Sequence, residues 1–164
     1  MTSENRWSIR RPWRAEWRRY RRILGGYELP TEGVGPGGKG HYLVAVDRDG
    51  RVAGGVGVEG LGPDVLLRSL AVSEDYVGAG LGTVLLTVAE RAARISGAER
   101  IFLLTTSAVG FFGRRGYSKL KREDAPATIR ASQEFASLCP TTAQPMVKGL
   151  YPDPHDIEEG GRLH

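Results

Sequence analysis

At 164 residues the chain is long enough for one domain that buries roughly 70 per cent of its unfolded surface without disulfides or metal. Its 40% hydrophobic and 26% charged content is that of a globular protein. No apolar run approaches the ~20 residues of a membrane span and Met1–Arg10 has no apolar signal core. The single cysteine, Cys139, allows no internal disulfide and no His/Cys cluster has metal-ligand spacing, so a cytoplasmic protein without membrane partner or metal is expected.

Trp7–Arg11 reads as a first strand, and Pro12 suits the opening turn of a helix that ends near Gly25-Gly26. Within it Trp13, Trp17, Tyr20 and Leu24 follow helical spacing and should pack on a sheet. The eight arginines of residues 1–22 (6, 10, 11, 14, 18, 19, 21 and 22) then occupy a solvated face, and a nucleic-acid partner is not expected. Thr31–Gly40 is glycine-rich, without periodicity, and is expected to be mobile. His41–Asp47 and Val52–Glu59 form a hairpin around Asp49-Gly50, and Leu61–Asp64 turns the chain into a strand, Val65–Val72. A glycine turn, Val77–Gly82, opens a helix with Leu81, Leu85, Val88, Ala92 and Ile95 at helical spacing, stopped by Ser96-Gly97. Arg100–Thr106 is a compact apolar strand, parallel to Val65–Val72 because a helix crosses between them. Ala108–Arg115 is a short helix, Tyr117–Lys121 a strand and Gln144–Leu150 the last strand. Asp124 caps a helix from Pro126 to about Ser137. Residues 1–150 form one domain, and Tyr151–His164 reads as a disordered tail.

Three glycines at alternate positions, Gly78, Gly80 and Gly82, strip side chains from the turn after a buried strand. Backbone N–H groups can then close on a phosphate, aided by the partial positive charge of the following helix. Ser73-Glu74-Asp75-Tyr76 separate strand from turn, which excludes the dinucleotide fingerprint, and no Gly-Lys-Ser/Thr follows, which excludes the nucleoside-triphosphate loop. Strand, polar loop and Val77-Gly78-Ala79-Gly80-Leu81-Gly82 resemble the acetyl-CoA motif, Gln/Arg-x-x-Gly-x-Gly/Ala, of the GCN5-related N-acetyltransferase (GNAT) superfamily.

That resemblance implies an α/β fold with a mixed, mostly antiparallel sheet of about seven strands flanked by helices, in which two parallel strands splay to admit the pantetheine arm. It implies acetyl-CoA as cofactor, held by Leu70, Ala71, Val72, Val77, Gly78, Ala79, Gly80, Leu81, Gly82 and Thr83, with Phe111 and Phe112 against the arm. Ala108–Tyr117 resembles a second family element, Ala-x-x-Phe/Leu-Tyr-x-x-x-Gly-Phe, in which a tyrosine often protonates the leaving thiolate. Phe112 stands at that position and has no proton to give. Val77 likewise replaces the usual Gln or Arg, and Arg114 or Arg115 could supply charge near the 3′-phosphate. The strands Leu66–Val72 and Leu103–Thr106, the Phe111-Phe112 pair and Phe135–Pro140 resemble the arsenic-resistance branch. That branch implies a small amine-bearing substrate, an arsenic-containing amino acid among the candidates, and relatives that are often homodimers.

Acetyl transfer to an amine needs the amine neutral. At pH 7 this costs about 4.6 kcal/mol for a lysine-like group and about 1.4 kcal/mol for an α-amino group near pKa 8. No His or Glu occupies an obvious base position, which favours an α-amino acceptor served through water by Glu59 or Thr105. Arg68, in a nearly continuous apolar run, should meet a carboxylate. Either a substrate provides it or an internal ion pair with Glu59 or Glu134 does. Alternation puts Arg68 on one face with Leu66 and Leu70, and Ser69 on the other with Ala71. Ser69 and Thr106 are the further candidates for acceptor contact. The expected activity is acetyl-CoA-dependent N-acetylation of a small molecule; the alternative is a CoA-binding sensor or interaction module that lost catalysis.

Overall fold

The computed structural model describes residues 6–138 and 140–150. Seven strands form one sheet in the order β1-β2-β3-β4-β5-β7-β6. They are β1 (Ser8–Arg10), β2 (His41–Val46), β3 (Val52–Glu59), β4 (Asp64–Val72), β5 (Arg100–Thr105), β6 (Ser118–Lys119) and β7 (Gln144–Gly149). Only β4 and β5 run parallel, joined by helix α2 (Leu81–Ile95), while every other neighbouring pair is antiparallel. The mixed α/β architecture expected from the element order is therefore present. Among the described residues no helix is long and apolar enough to cross a membrane.

The β2–β3 hairpin turns at Asp49-Gly50, where Gly50 takes a positive φ of 82°. Asp47 Oδ1 accepts the Asp49 and Arg51 N–H groups at 2.9 Å each, so an aspartate side chain closes the turn. On one face of the sheet α2 buries Leu81, Leu85, Leu86, Ala89 and Ala93 against Leu67, Ile101, Leu103 and Met146. The buried stripe is thus rotated from the one expected. Val88 is only half-buried, and Ala92 and Ile95 face solvent, because the sheet meets the 81-85-89-93 ridge.

The opposite face carries α1 (Glu16–Gly26), whose Trp17, Tyr20, Ile23 and Leu24 pack on Tyr42, Val44, Val46 and Ala71. This helix begins four residues after Pro12. Glu16 accepts the Trp13 N–H at 2.7 Å and pairs with Arg10 at 2.7 Å. Trp13 remains exposed beneath the Arg10 guanidinium, 3.6 Å from its ring centre. Glu16 thereby ties the chain entering the helix to its first residue.

Further along the same face, Leu66 and Phe102 meet Ala125, Ile129 and Phe135. The single helix expected over 126–137 is two pieces, α4 (Ala127–Arg130) and a π-turn at Glu134–Leu138. Pro126, not Asp124, occupies the α4 N-cap. Between β5 and β6 lies α3 (Val109–Gly113). The glycine-rich loop expected to be mobile is anchored: Val34 is buried, its carbonyl accepts Arg21 Nη1 at 2.9 Å, and the Glu32 carbonyl accepts Arg68 Nη2 at 2.9 Å. Cys139 and residues 151–164 lie outside the described residues.

Two tyrosine rings lie directly on β3, and its glycines make that possible. A Cβ on Gly55 would fall 2.5 Å from Tyr20 Cε1, and one on Gly57 would fall 2.4 Å from Tyr42 Cε1. Tyr20 is fully buried and donates from its hydroxyl to the Ser69 carbonyl at 2.7 Å. Gly55→Ala should therefore lower the unfolding free energy by about 1–3 kcal/mol through overpacking. Tyr20→Phe should cost about 1–3 kcal/mol by leaving a buried carbonyl unsatisfied. Urea denaturation of both variants, read as a midpoint shift at constant slope, measures each effect.

Candidate active site

The β4–β5 ladder is short. Its pairs are Asp64–Arg100, Val65–Ile101 and Leu66–Phe102, yet β4 continues to Val72 and β5 to Thr105. Beyond Leu66 the two strands diverge and leave a wedge between them. The cause lies in β4. Arg68 pairs with Gly57 and Ala71 with Gly55, so Ser69 and Leu70 together stand opposite Val56. Ser69 takes a left-handed φ of 61°, a conformation that costs an L-residue roughly 1–2 kcal/mol. This is a β-bulge, and it bends and twists the strand that carries it.

The bulge also reverses the expected alternation. Leu70 packs with Leu67 against the α2 core, and Ala71 packs toward α1. Ala71 pairs with Gly55, and the Ser73 N–H donates to Ala53 O at 2.8 Å. Successive peptides in a strand face opposite ways, so the intervening backbone groups of Leu70 and Val72 turn toward the wedge. Tyr27 donates from its hydroxyl to the Val72 carbonyl at 2.7 Å, a contact between residues too far apart in the chain for any local pattern to signal.

At the end of β4 a 3-10 turn, Glu74–Tyr76, leads into the glycine turn. Gly78 and Gly80 take φ of 88° and 82°, and Gly80 caps α2. The first helical bond donated in α2 is Val84 N–H to Gly80 O, at 3.2 Å. The N–H groups of Leu81, Gly82 and Thr83 consequently have no acceptor within the helix. A Cβ built on Gly78 or Gly80 would meet no atom within 4 Å. Open space therefore fronts three aimed donors at a helix N-terminus, which fits the diphosphate of acetyl-CoA. The wedge between β4 and β5 fits its extended arm.

On the other face of the sheet, beside the bulge, lies a buried polar cluster. Arg68, its side chain fully buried, donates from Nη1 to Glu59 Oε1 at 2.7 Å and from Nη2 to the Glu32 carbonyl at 2.9 Å. Its Nε donates to Ser69 Oγ at 3.1 Å and lies 3.4 Å from Glu134 Oε1. Both internal carboxylates held open as partners for Arg68 are thus at its guanidinium. Tyr20 and Tyr42 border the cluster. Burial raises the Tyr42 phenol to about 12 and the Tyr20 phenol well above its ordinary value, so both remain protonated donors at neutral pH. Glu59 ends β3 with 19% of its side chain exposed, which makes it the part of the cluster open to solvent.

The remaining expected site residues distribute as follows. Thr105 ends β5, and its Oγ1 accepts the Ala108 N–H at 2.9 Å. Thr106 is exposed in the turn that follows. Val77 is 67% exposed. Ala79 and Phe111 lie half-buried against the α2-side core, with Phe111 3.6 Å from where a Gly82 Cβ would stand. Phe112 is buried between Phe111 and Tyr117, at ring-centre distances of 5.1 and 5.4 Å. The Tyr117 hydroxyl donates to Glu90 Oε2 at 2.8 Å. Burial first, and Glu90 second, push that phenol far above its usual range. Thr83 accepts from Arg115 through its Oγ1, at 2.7 and 3.1 Å.

Solved structures share this architecture. N-acetylglutamate synthase from Neisseria gonorrhoeae, complexed with coenzyme A and L-arginine, superposes with a TM-score of 0.74 at 20% identity. The match covers 92% of this chain and 35% of that one. A GNAT-family acetyltransferase from Staphylococcus aureus gives 0.70 at 16% identity over 88% and 99% of the two chains. A Mycobacterium tuberculosis protein solved with CoA gives 0.70 at 20% identity over 87% and 98%. In sequence, the chain is 38% identical over 63 residues to an uncharacterised N-acetyltransferase of Chlorobaculum tepidum, covering 38% of this chain and 40% of that protein. It is 31% identical over 80 residues to an amino-acid acetyltransferase of Mannheimia succiniciproducens, covering 49% and 18%. The matched region thus spans less than half the length of either relative. The family model described as Acetyltransferase (GNAT) family matches residues 3–117. Sheet order, glycine turn and that match agree: the chain belongs to the GNAT family of acetyltransferases, enzymes that use acetyl-CoA.

Proposed function

We propose that the chain transfers the acetyl group of acetyl-CoA to the amine of a small molecule by direct attack. The observation that supports it best is that the β4–β5 pairing ends at Leu66 while both strands continue, with the glycine turn following β4 and the Arg68–Glu59–Glu134 cluster beside its bulge. When bound, acetyl-CoA supplies an acyl carbonyl on a thiol leaving group. The backbone N–H groups of Leu70 and Val72, which β3 does not engage, would be the donors to the thioester oxygen, a role for which no side chain is needed. Val77 to Thr83 would cradle the phosphates, and Phe111 and Phe112 would pack along the arm.

Glu59 takes the ammonium proton through water. Its carboxylate is fixed by Arg68 at 2.7 Å and faces solvent on its other side. Arg68, each of whose three nitrogens already donates within the protein, serves chiefly as the positioning residue for Glu59. A carboxylate on the acceptor would have to displace one of the internal ones. Thr105 accepts one N–H and keeps its own O–H as a donor at the end of β5, which suits a relay. Ser69 and Thr106 are the remaining acceptor contacts. An amino-acid-like acceptor is supported by the name of the Mannheimia relative and by the L-arginine bound in the Neisseria structure. An arsenic-containing amino acid is supported by the Phe111-Phe112 pair and the strand motifs. The second reading, a CoA-binding module without catalysis, is favoured by Phe112, which puts no hydroxyl at the position of the usual acid.

CoA release from acetyl-CoA should be detected with at least one acceptor among amino acids, their arsenic-containing analogues and simple primary amines. Tight CoA binding with no release across that set would establish the second reading instead. Glu59→Gln should lower kcat about 100-fold, the size of effect expected for loss of a general base. The acetyl-CoA KM should move by less than about threefold, and an unchanged kcat removes Glu59 from the chemistry. Gly80→Val forces a β-branched residue into a left-handed φ and sets its side chain in the phosphate space. Calorimetry should show CoA affinity falling at least about tenfold, and wild-type affinity would refute the cradle.

A further inference from the structure

Arg115 is the one feature around the glycine turn that neither the fold nor the acetyl-transfer chemistry explains. It follows α3, yet its side chain reaches the first turn of α2. Nη2 and Nε donate to Thr83 Oγ1 at 2.7 and 3.1 Å, and Nη1 donates to the Phe111 carbonyl at 2.8 Å. The guanidinium lies 3.7 Å above the Phe111 ring, and the same ring lies 3.6 Å from the Cβ position of Gly82. The cation is therefore clamped on a plate that rests against the glycine turn.

Its neighbours make this placement electrostatically adverse in the protein alone. A helix N-terminus carries about half a positive charge and disfavours cations within its first turn. The first turn of α2 contains no acidic residue. Among the described residues Arg115 has no carboxylate within salt-bridge distance. All three of its hydrogen bonds go to neutral oxygens, which orient the fork without neutralising it. Val77, meanwhile, presents an exposed isopropyl group at the position where the family motif carries Gln or Arg.

We propose that Arg115 is the cationic ligand of the acetyl-CoA pyrophosphate, supplying from the far side of the turn the charge that Val77 omits. Thr83 and Phe111 are its positioning residues: the hydroxyl fixes two donors, and the ring restricts the plane of the fork. A guanidinium held flat in this way can offer its remaining N–H groups to phosphate oxygens without first being ordered. The inference rests on the cofactor assignment above, and the two fail separately. Wild-type protein that binds no CoA refutes the assignment, whereas the variants below test only Arg115.

The test is calorimetric titration with CoA and with dephospho-CoA, which keeps the pyrophosphate and lacks the 3′-phosphate. Arg115→Met retains the apolar stem over Phe111 and removes the charge. It should weaken both ligands by a similar factor, about tenfold or more, with a thermal midpoint near that of wild type. Adding Val77→Arg to it should recover most of the lost affinity, which a merely structural role of Arg115 would not allow. Affinity within twofold of wild type for Arg115→Met would overturn the proposal. So would a loss confined to CoA, which would assign the side chain to the 3′-phosphate. Failure of Val77→Arg to restore binding would overturn the compensation between the two positions.

Discussion

A serine held in left-handed backbone at the centre of a buried strand is sustained only if its surroundings outweigh its strain. Ser69 has three such supports. Its carbonyl accepts the Tyr20 hydroxyl, its Oγ accepts Arg68 Nε, and the flanking residues stay paired with Gly57 and Gly55. Each support depends on a further choice in the sequence. Tyr20 reaches the strand only because Gly55 has no side chain, and Tyr42 lies beside it only because Gly57 has none. Arg68 is tolerated in the interior because Glu59 and the Glu32 carbonyl engage its two terminal nitrogens. The bulge, the parting of β4 from β5 and the burial of a charged cluster are thus one structural event.

That event separates two electrostatic environments along a single gap. The α2 end offers helix N–H groups and Arg115, a surface suited to phosphate. The flank on the α1 side offers carboxylates held by one guanidinium, suited to an amine. Charged groups in such a site act through low-dielectric surroundings, where fixed donors and acceptors count for more than in water. Glu59 and Arg68 stand on neighbouring strands and the N–H donors open a helix, so their relative placement is set by backbone geometry more than by loop conformation.

Strands, helices and the parallel pair were readable from periodicity because each is dictated by local pattern and by short connections. The glycine turn was readable for a different reason, since alternate glycines have few other uses at a strand–helix junction. Pattern and structure part company where one element packs against another. The α2 stripe expected from spacing lies one ridge away from the buried one because alanines at 89, 92 and 93 make several ridges equally apolar. Helical spacing puts Trp13 in the core, but the helix starts at Glu16, past it, and the indole stacks on Arg10. Simple alternation along β4 fails at Ser69 because a bulge leaves no mark in hydropathy. Its trace was present in Gly54, Gly55 and Gly57 of the neighbouring strand, an unusual density of glycine that signals close approach of other groups.

The loss of a tyrosine at position 112 fits the rest of the site. The phenylalanine ring is buried between Phe111 and Tyr117, and it packs there with no polar group of its own to satisfy. The nearby Tyr117 hydroxyl cannot replace it, because Glu90 holds it and Lys148 ties Glu90 down at 3.1 Å. A thiol with an ordinary pKa of about 8.5 leaves as thiolate with little assistance, so a dedicated acid adds least at that step. The harder task is to strip a proton from the incoming amine, and of the two carboxylates held at Arg68 it is Glu59 that keeps a partly exposed side chain for such a step.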